Sequence, residues 1–160
     1  MGNKYMDYHY NDLIVFSINS DVYEALASYK EKHTFRIERG GIIAGIIEPA
    51  RTQITLTDFT EPQKRDICLP CFYKRAAYGH QEIMDRLWEE SQYTKTYLGE
   101  WHTHNQRSPQ PSNIDAQNWI RISKRNHNSE WLFFLIVGTE QLGVWTVFDD
   151  KIVRMAQIQP

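Results

Sequence analysis

The chain has 160 residues, of which 41% are hydrophobic and 13% aromatic, and its formal net charge is -2. This length suits one domain with a full core, so we expect residues 1–160 to form a single domain. A slightly acidic chain with scattered lysine and arginine argues against nucleic-acid binding. No run of about 18 apolar residues is present and the first ten residues lack a secretory core, so we expect a cytoplasmic protein without a membrane span.

In chain order, an apolar and β-branched stretch predicts a first strand, and Ser20 or Asp21 is expected to cap the helix that follows. Strands are predicted over 11–18, 36–47, 53–59, 96–104, 131–137, 141–148 and 151–158, and longer helices over 72–91 and 112–125. The Asp149-Asp150 pair predicts a tight turn between the last two strands. Strands with interposed helices predict a layered α/β domain with a mixed sheet.

The stretch "GEWHTHNQRSPQPSNID" has the composition of a metal site. Side chains alternate along a strand, so His102 and His104 point to the same face and their imidazoles can converge on one ion. Asp115 supplies a third ligand if the loop 105–111 folds the next helix back over the strand. Two histidines and one carboxylate leave a coordination position open, which is typical of catalytic zinc rather than structural zinc.

Hydrolysis also needs a carboxylate that takes a proton from water and passes it to the leaving amine. Glu100 lies two residues before His102 on the same strand face, and Glu38 lies just before the Gly40-Gly41 pair on another strand. Spacing alone does not choose between these two carboxylates. Ser112 and Asp115 form the pattern of a helix capping box, which is compatible with a ligand role for Asp115.

The whole pattern resembles the JAMM (MPN-type) metallopeptidase family. His102, His104, Ser112 and Asp115 match the family motif H-x-H-x7-S-x2-D at every defined position, and "ERGGIIAG" at 38–45 resembles its glutamate strand. The resemblance spans residues 35 to 147, and "YLGEWHTH" with "SPQPS" looks closest to a bacterial subgroup associated with mobile elements and CBASS anti-phage operons. One departure is Asn105, where the family usually carries proline after the second histidine.

The resemblance implies a role for each matching residue and a single Zn²⁺ per chain. The zinc ligands would be His102, His104 and Asp115. Glu38 would be the general base and later the acid, Ser112 would donate a hydrogen bond to the oxyanion, and Glu100 would support the site from outside the coordination sphere. The implied fold is a curved mixed β-sheet packed between helices, similar to that of cytidine deaminases.

Family members cleave the amide bond between the C-terminus of a ubiquitin-like protein and an amine. The first hypothesis is therefore a zinc isopeptidase that removes a conjugated protein, here within a CBASS system, where the conjugate would be the operon's nucleotide-synthesising enzyme. A peptidase that processes a sulfur-carrier protein is the second hypothesis, and a catalytically inert scaffold is the third. Inert members typically lose zinc ligands, whereas this chain retains the ligands and Glu38.

Other polar features have simpler interpretations. Cys68 and Cys71 are interpreted as two reduced thiols packed under a loop, because a metal site would need two more ligands. His80 is interpreted as a buried core or interface histidine. The basic run of Arg121, Lys124, Arg125 and His127 is interpreted as the last turn of a helix. The loops 60–71 and 105–111 are expected to flank an extended substrate tail, which would pair with a strand edge.

Overall fold

A computed structural model describes residues 4–32 and 37–159. Its helices are α1 (Ser20–Ala27), α2 (His80–Glu90) and α3 (Asn113–Ser123), with a 3-10 turn over Ser28–Lys32. Its strands are β1 (Tyr5–Tyr10), β2 (Ile14–Asn19), β3 (Gly40–Ile47), β4 (Gln53–Phe59), β5 (Ile67–Leu69), β6 (Phe72–Lys74), β7 (Lys95–Thr103), β8 (Phe133–Val137), β9 (Leu142–Phe148), β10 (Lys151–Arg154) and β11 (Ala156–Gln157). Within these ranges no helix is long and apolar enough to cross a membrane.

One large mixed sheet has the strand order β10-β9-β8-β7-β3-β4-β2-β1-β11. The pairs β2–β4 and β7–β8 are parallel, and the others are antiparallel. The two edge strands β10 and β11 are separated in sequence only by Met155, whose N–H donates to the Val144 carbonyl at 2.9 Å. The two edges of the sheet are therefore brought together by the last segment of the chain, and the sheet curves back on itself.

Helices cover both faces of this sheet. Alternate residues of β8 separate the two sides: Leu135 packs in the main core with Leu26 of α1, whereas Phe134 packs with Trp119 and Ile122 of α3. Met84 of α2 packs on β3 next to α3. The predicted curved mixed sheet between helices is thus confirmed.

The long helix predicted over 72–91 is wrong. Phe72 begins the short strand β6, which pairs with β5 in a hairpin, so the loop predicted over 60–71 also contains a strand. The helix begins only at His80, after Gly79 with φ 86°. Ala76, which fitted the helical spacing, donates its N–H to the Asp66 carboxylate instead. Hydrogen bonding to the buried Asp66 carboxylate therefore outweighed the weak helical spacing of the apolar residues in this segment.

Both ends of the chain also differ from the predictions. The polar N-terminal stretch forms β1, which was not predicted, and the predicted strand 11–18 begins at Ile14. The predicted strand 36–47 begins at Gly40, and Arg36 lies outside the described residues. The predicted strand 151–158 is split into β10 and β11, which pair with opposite edges of the sheet.

Two local predictions near these ends have opposite outcomes. Asn19, rather than Ser20 or Asp21, caps α1, since its side chain accepts from the Asp21 N–H at 3.0 Å. The tight turn at Asp149-Asp150 is confirmed by φ values of 51° and 58°, as hairpin turns of this kind require.

Candidate metal centre

The two histidines stand side by side at the carboxyl end of β7, in the middle of the sheet. The Nε2 atoms of His102 and His104 are 3.0 Å apart, and each residue is 7% exposed. Trp101 and Thr103, at the alternating positions, are buried on the other side. The prediction that both imidazoles lie on one face is confirmed, and both Nε2 atoms point to the same small volume.

Asp115 reaches this volume from the first turn of α3. Its Oδ1 lies 3.3 Å from His102 Nε2, and its Oδ2 lies 3.2 Å from His104 Nε2. Helix α3 is held over the strand by Trp119, whose ring stacks on Phe134 at 4.9 Å and meets the His102 ring edge-on at 6.2 Å. The loop 105–111 therefore does fold the helix back, as the metal interpretation required.

Glu38 is the carboxylate that joins the histidines from the neighbouring strand. Its Oε1 lies 3.7 Å from His104 Nε2. The backbone beside it is fixed on both sides, because the Arg39 carbonyl accepts from the Thr103 N–H at 2.8 Å and the Glu38 N–H donates to the Leu69 carbonyl at 3.1 Å. Glu38 thus lies just before β3, between the end of β7 and the β5–β6 hairpin.

Gly40 allows β3 to lie close to both β7 and the β5–β6 hairpin. A Cβ at this position would press on the Trp101 carbonyl oxygen, and it would lie 2.7 Å from Cε1 of Tyr73 and 2.9 Å from Cβ of His102. No side chain larger than hydrogen fits between the histidine strand and the hairpin. Glycine inside a strand often marks such a close approach of another backbone.

Glu100 does not reach the histidines' ligating atoms. Its Oε1 accepts from Arg75 Nε at 3.0 Å, and the pair is half-buried beside the hairpin. Among the described residues, the ligand atoms of Glu38, His102 and His104 form the group of possible metal ligands that lie within 4.8 Å of one another. Of the two carboxylates that spacing left open, the fold brings Glu38 to the histidines.

The distances between the donor atoms fit a small tetrahedral cation. Two ligands at about 2.0–2.1 Å from a tetrahedral zinc stand about 3.3 Å apart, and imidazole nitrogen with carboxylate oxygen is a usual zinc donor set. The Nε2 atoms of His102 and His104 are 3.0 Å apart, and they lie 3.3 Å from Oδ1 and 3.2 Å from Oδ2 of Asp115, respectively. At 3.7 Å, Glu38 is farther from the nearest imidazole nitrogen than Asp115 is, which suits a group that acts beside the ion.

The pKa values of the two carboxyl groups in this cluster shift in opposite directions, upwards for Glu38 and downwards for Asp115. Burial raises the pKa of the Glu38 carboxyl, and the adjacent histidines only partly offset this effect. Burial also opposes the charge on Asp115, but hydrogen bonds from both histidines and from the Ser112 N–H outweigh it and hold the Asp115 pKa far below its usual range. The carboxylate, the form in which Asp115 would bind a metal, is thus favoured in this arrangement.

Ser112 and Asp115 form the predicted capping box at the start of α3. The Ser112 Oγ accepts from the Asp115 N–H at 3.1 Å, and the Asp115 Oδ2 accepts from the Ser112 N–H at 2.8 Å. Because Oγ already accepts a bond, its hydroxyl hydrogen remains free to donate into the cleft. The same cap places the positive end of the helix dipole at the site.

Sequence reasoning did not identify Gln106 as part of the site. Its Oε1 lies 3.2 Å from Nδ1 of His104 and accepts from the Gln110 N–H at 3.0 Å. An amide oxygen at Nδ1 favours the tautomer in which Nδ1 carries the proton, and this leaves Nε2 free to bind a metal. No spacing rule marks such a residue, because its role depends on how the loop 105–111 folds.

A cleft of about 440 Å³ leads to the cluster, and we call it the catalytic cleft. One wall is the hairpin, with Cys71, Phe72 and Tyr73, and the other is the start of α3. Asn105, which stands where the family usually has proline, lines the cleft floor beside Gln106. Of the two stretches that were predicted to flank the substrate tail, 105–111 lines this cleft with Asn105 and Gln106, whereas 60–71 lines it only with Cys71.

His80 has the simpler role predicted for it, but the prediction that both cysteines pack under a loop is wrong, because Cys68 lies in strand β5 and Cys71 is exposed in the wall of the cleft. His80 is completely buried, with Nδ1 2.6 Å from the Thr60 hydroxyl and Nε2 2.8 Å from the Asp66 carboxylate. Cys68 and Cys71 are both free thiols, and neither belongs to the group of possible metal ligands found among the described residues.

Comparison with known proteins adds a family and a fold. The family model described as prokaryotic homologs of the JAB domain matches residues 20–150. The chain is 32% identical over 138 residues to a "CD-NTase/cGAS isopeptidase" of Escherichia coli, which covers 86% of this chain and 85% of that protein. It is 35% identical over 122 residues to a protein of the same description from Vibrio cholerae, which covers 76% and 74% of the two chains.

Two solved structures share the fold at low sequence identity. A protein from Desulfitobacterium hafniense gives a TM-score of 0.55 at 14% identity, covering 86% of this chain and 87% of that one. A protein from Salinibacter ruber gives a TM-score of 0.53 at 12% identity, covering 89% and 90%. At this identity the likeness shows the fold alone.

Proposed function

We propose that this chain, which belongs to the JAB-domain (JAMM/MPN) family, is a zinc-dependent isopeptidase that hydrolyses the amide bond after the C-terminus of a conjugated or ubiquitin-like protein. The observation that carries this proposal is the convergence of His102, His104, Asp115 and Glu38 at the end of an open cleft. Two imidazoles with one carboxylate, and a second carboxylate slightly farther away, are the arrangement that metal-assisted amide hydrolysis requires.

His102, His104 and Asp115 would hold a single zinc ion. When bound, such an ion polarises a carbonyl and lowers the pKa of water to about 7. The residues of the chain fix its surroundings: Gln106 sets the His104 tautomer, and the Ser112 N–H anchors one oxygen of Asp115.

Glu38 is proposed to move the proton. Its carboxylate lies at the cleft end, 3.7 Å from His104 Nε2, and its backbone is held between β7 and the hairpin. Burial raises the pKa of this carboxyl, which makes it a stronger base than an exposed glutamate. It would take a proton from the attacking water and deliver it to the leaving amine.

Ser112 is proposed to stabilise the negative charge that develops on the substrate carbonyl oxygen. Its hydroxyl is exposed to the catalytic cleft at the start of α3, and its free hydrogen can donate to that oxygen. No covalent enzyme intermediate is needed in this scheme, so Cys71 in the cleft wall is not required as a nucleophile.

The substrate tail is proposed to lie extended in the catalytic cleft. The hairpin strand β6 and the loop 105–111 border it, and a main-chain edge can hydrogen-bond to an extended segment. The described relatives are isopeptidases of CD-NTase/cGAS conjugates, and we infer that a CD-NTase conjugate in a CBASS system, acted on in the cytoplasm, is the substrate here. That description favours this substrate over a sulfur-carrier protein.

The test combines metal content with cleavage of a CD-NTase fused at its C-terminus to a reporter protein. Wild type should contain about one zinc per chain. Glu38→Gln should retain the zinc and lose hydrolysis by about 10²–10⁴-fold, because a positioned base contributes that much. Asp115→Asn should lose both zinc and activity, since it removes the charged ligand.

A matched control is Glu89→Gln, an exposed glutamate on α2, which should keep full activity. If Glu38→Gln lost zinc and Asp115→Asn retained it, Glu38 would be the zinc ligand and Asp115 the base. A wild-type protein that holds no zinc even after zinc is supplied would refute the peptidase and leave the inert scaffold as the better hypothesis.

A further inference from the structure

A second cleft continues the catalytic cleft along α3, and we call it the basic groove. It has a volume of about 240 Å³ and runs between the hairpin strand β6 and the side of α3. Tyr73 and Asn118 line both clefts, so the basic groove adjoins the cleft that holds the metal centre. The two clefts together follow the helix from its first turn towards its last.

The groove carries a strong excess of positive charge. Lys74, Arg75, Arg121 and Arg125 line it, and Glu100 is the acidic residue among its lining residues. Arg75 and Glu100 form a half-buried pair with Nε and Oε1 at 3.0 Å, so these two charges compensate each other.

The three remaining cations have no acidic partner within the described part of the chain. Lys74, Arg121 and Arg125 are exposed and form no ion pair there, and the polar contact of Arg121 is to Asn118 Oδ1 at 3.0 Å. Three uncompensated cations in one small groove stand out in a chain with a net charge of -2. The interpretation of the basic run as the last turn of a helix holds for Arg121 alone, because α3 ends at Ser123 and Lys124, Arg125 and His127 follow it.

The shape of the groove selects its occupant. The groove lies between a strand and a helix and has a volume of only about 240 Å³, which suits the side chains of an extended segment better than a folded surface. In the proposed reaction the leaving amine belongs to a folded protein, whereas the acyl side is a C-terminal tail. An extended tail reaching back from the scissile bond would pass its side chains over Lys74 on one wall and over Arg121 and Arg125 on the other.

We propose that the basic groove binds acidic side chains in the tail of the substrate, a few residues before the scissile bond, and so selects acidic tails over neutral and basic ones. This proposal rests on the proposed function and names the chemistry of its substrate. The charged contacts supply selectivity, and Asn118 and Tyr73 connect the groove with the catalytic cleft.

Peptide binding tests the proposal without using activity. The zinc-loaded Glu38→Gln protein is titrated with fluorescein-labelled octapeptides that end in a free carboxylate, in an alanine background with four central residues of aspartate, asparagine or lysine. Three exposed charge contacts of up to about 0.5 kcal/mol each predict that the aspartate peptide binds about tenfold more tightly than the asparagine peptide. The lysine peptide should bind more weakly than either.

Charge reversal locates the site. Arg121→Glu and Arg125→Glu should remove the preference for the aspartate peptide, whereas Lys124→Glu should retain it. Lys124 is the matched control because it adjoins Arg125 just after the end of α3 but does not line the groove, with Nζ 3.9 Å from an Asp150 oxygen. Equal loss in Lys124→Glu would overturn the proposal, since a general charge effect would then explain the data.

Other results would also overturn it: equal affinity for the aspartate and lysine peptides, or no binding of any peptide at about 1 mM, the weak end of specific affinities. A thymidine octanucleotide that binds as tightly as the aspartate peptide would show a general anion site. Charge-selective binding without cleavage by the wild type would support the groove and contradict the isopeptidase. Cleavage of the reporter fusion without charge selectivity would support the isopeptidase and contradict the proposed role of the groove.

Discussion

Ser112 caps α3 and is proposed to have a second task with the same oxygen atom, and mutation can separate the two. Its Oγ accepts from the Asp115 N–H and so caps α3, while its hydroxyl hydrogen is free to meet the substrate oxygen. Asn19 performs only the first of these tasks, for α1, where it accepts from the Asp21 N–H at 3.0 Å. The two caps therefore form a natural pair for comparison.

We predict that Ser112→Ala and Asn19→Ala each lower the free energy of unfolding by about 1 kcal/mol, because each removes a helix cap. Only Ser112→Ala should also lower kcat, by about 10²–10³-fold, the typical cost of losing one oxyanion donor. Urea unfolding and steady-state cleavage of the reporter fusion measure the two effects. A Ser112→Ala enzyme with normal kcat would assign Ser112 to helix capping alone.

At the residue scale, the sequence predicted those groups whose placement follows from local geometry. Strand alternation brought His102 and His104 to one face, and the capping box anticipated the start of α3. Choosing between Glu38 and Glu100 required either the family resemblance or the pairing of β3 with β7, since nothing in the spacing shows which strands are neighbours. Gln106 could not be predicted, because its contact with His104 depends on a loop conformation.

Among the elements, the β5–β6 hairpin depends most on a single buried side chain. The Asp66 carboxylate is fully buried and accepts four hydrogen bonds, two of them from the Gln63 and Ala76 N–H groups. The other two come from the Tyr73 hydroxyl at 3.0 Å and from His80 Nε2 at 2.8 Å. Through His80 this network continues to Thr60, whose hydroxyl oxygen accepts the Ile42 N–H of β3. The hairpin is thus tied to the strand that follows Glu38.

We predict that this network makes stability depend on acid. Burial by itself would raise the Asp66 pKa, but the four hydrogen bonds outweigh it and hold this pKa below its ordinary value. A depressed folded-state pKa stabilises the protein above the unfolded-state pKa of about 3.9, and this contribution is lost as the pH falls further towards the folded-state value. Asp66→Asn should cost about 2 kcal/mol at pH 7.

Urea unfolding of wild type and Asp66→Asn between pH 7 and pH 3 checks this prediction. The difference between the two proteins should be constant above about pH 5 and shrink below about pH 4. Asp85→Asn, which changes an exposed carboxylate on α2, should behave like wild type throughout. A difference that grew on acidification would contradict the assigned direction of the Asp66 shift.

The hairpin is also where element prediction failed, and the reason is physical. Phe72 and Ala76 fitted a helical stripe with Ile83 and Leu87, but the first two belong to a segment organised around Asp66 rather than around its own backbone. Strands that are buried on both faces, such as β8, were predictable because burial alone dictates an unbroken apolar sequence.

In the whole molecule, Met155 joins the two edges of the sheet. It is 3% exposed, packs in the main core, and separates β10 from β11. We predict that Met155→Ala lowers the free energy of unfolding by about 2–5 kcal/mol, the usual cost of truncating a buried methionine. Thermal or urea unfolding measures this loss.

Ile158→Ala is the matched control, three residues later and 42% exposed, and it should cost less than about 1 kcal/mol. Equal losses in the two variants would mean that Met155 has no special part in joining the edges. The strand β1 and the division of 151–158 were not predicted because both depend on pairing between the two ends of the chain, which no local pattern encodes.

The pairing of Tyr8 with Gln157 has a consequence for the order of events during synthesis. Domains fold as their chains emerge from the ribosome, and contacts between distant residues make folding slow. The histidines, Asp115 and the hairpin all emerge before β11 does, so a nascent chain displays the candidate metal-binding side chains on an unfinished sheet. The pairing of β11 with β1 then closes this edge, so a chain cut short before β11 would display the same side chains on an unclosed sheet.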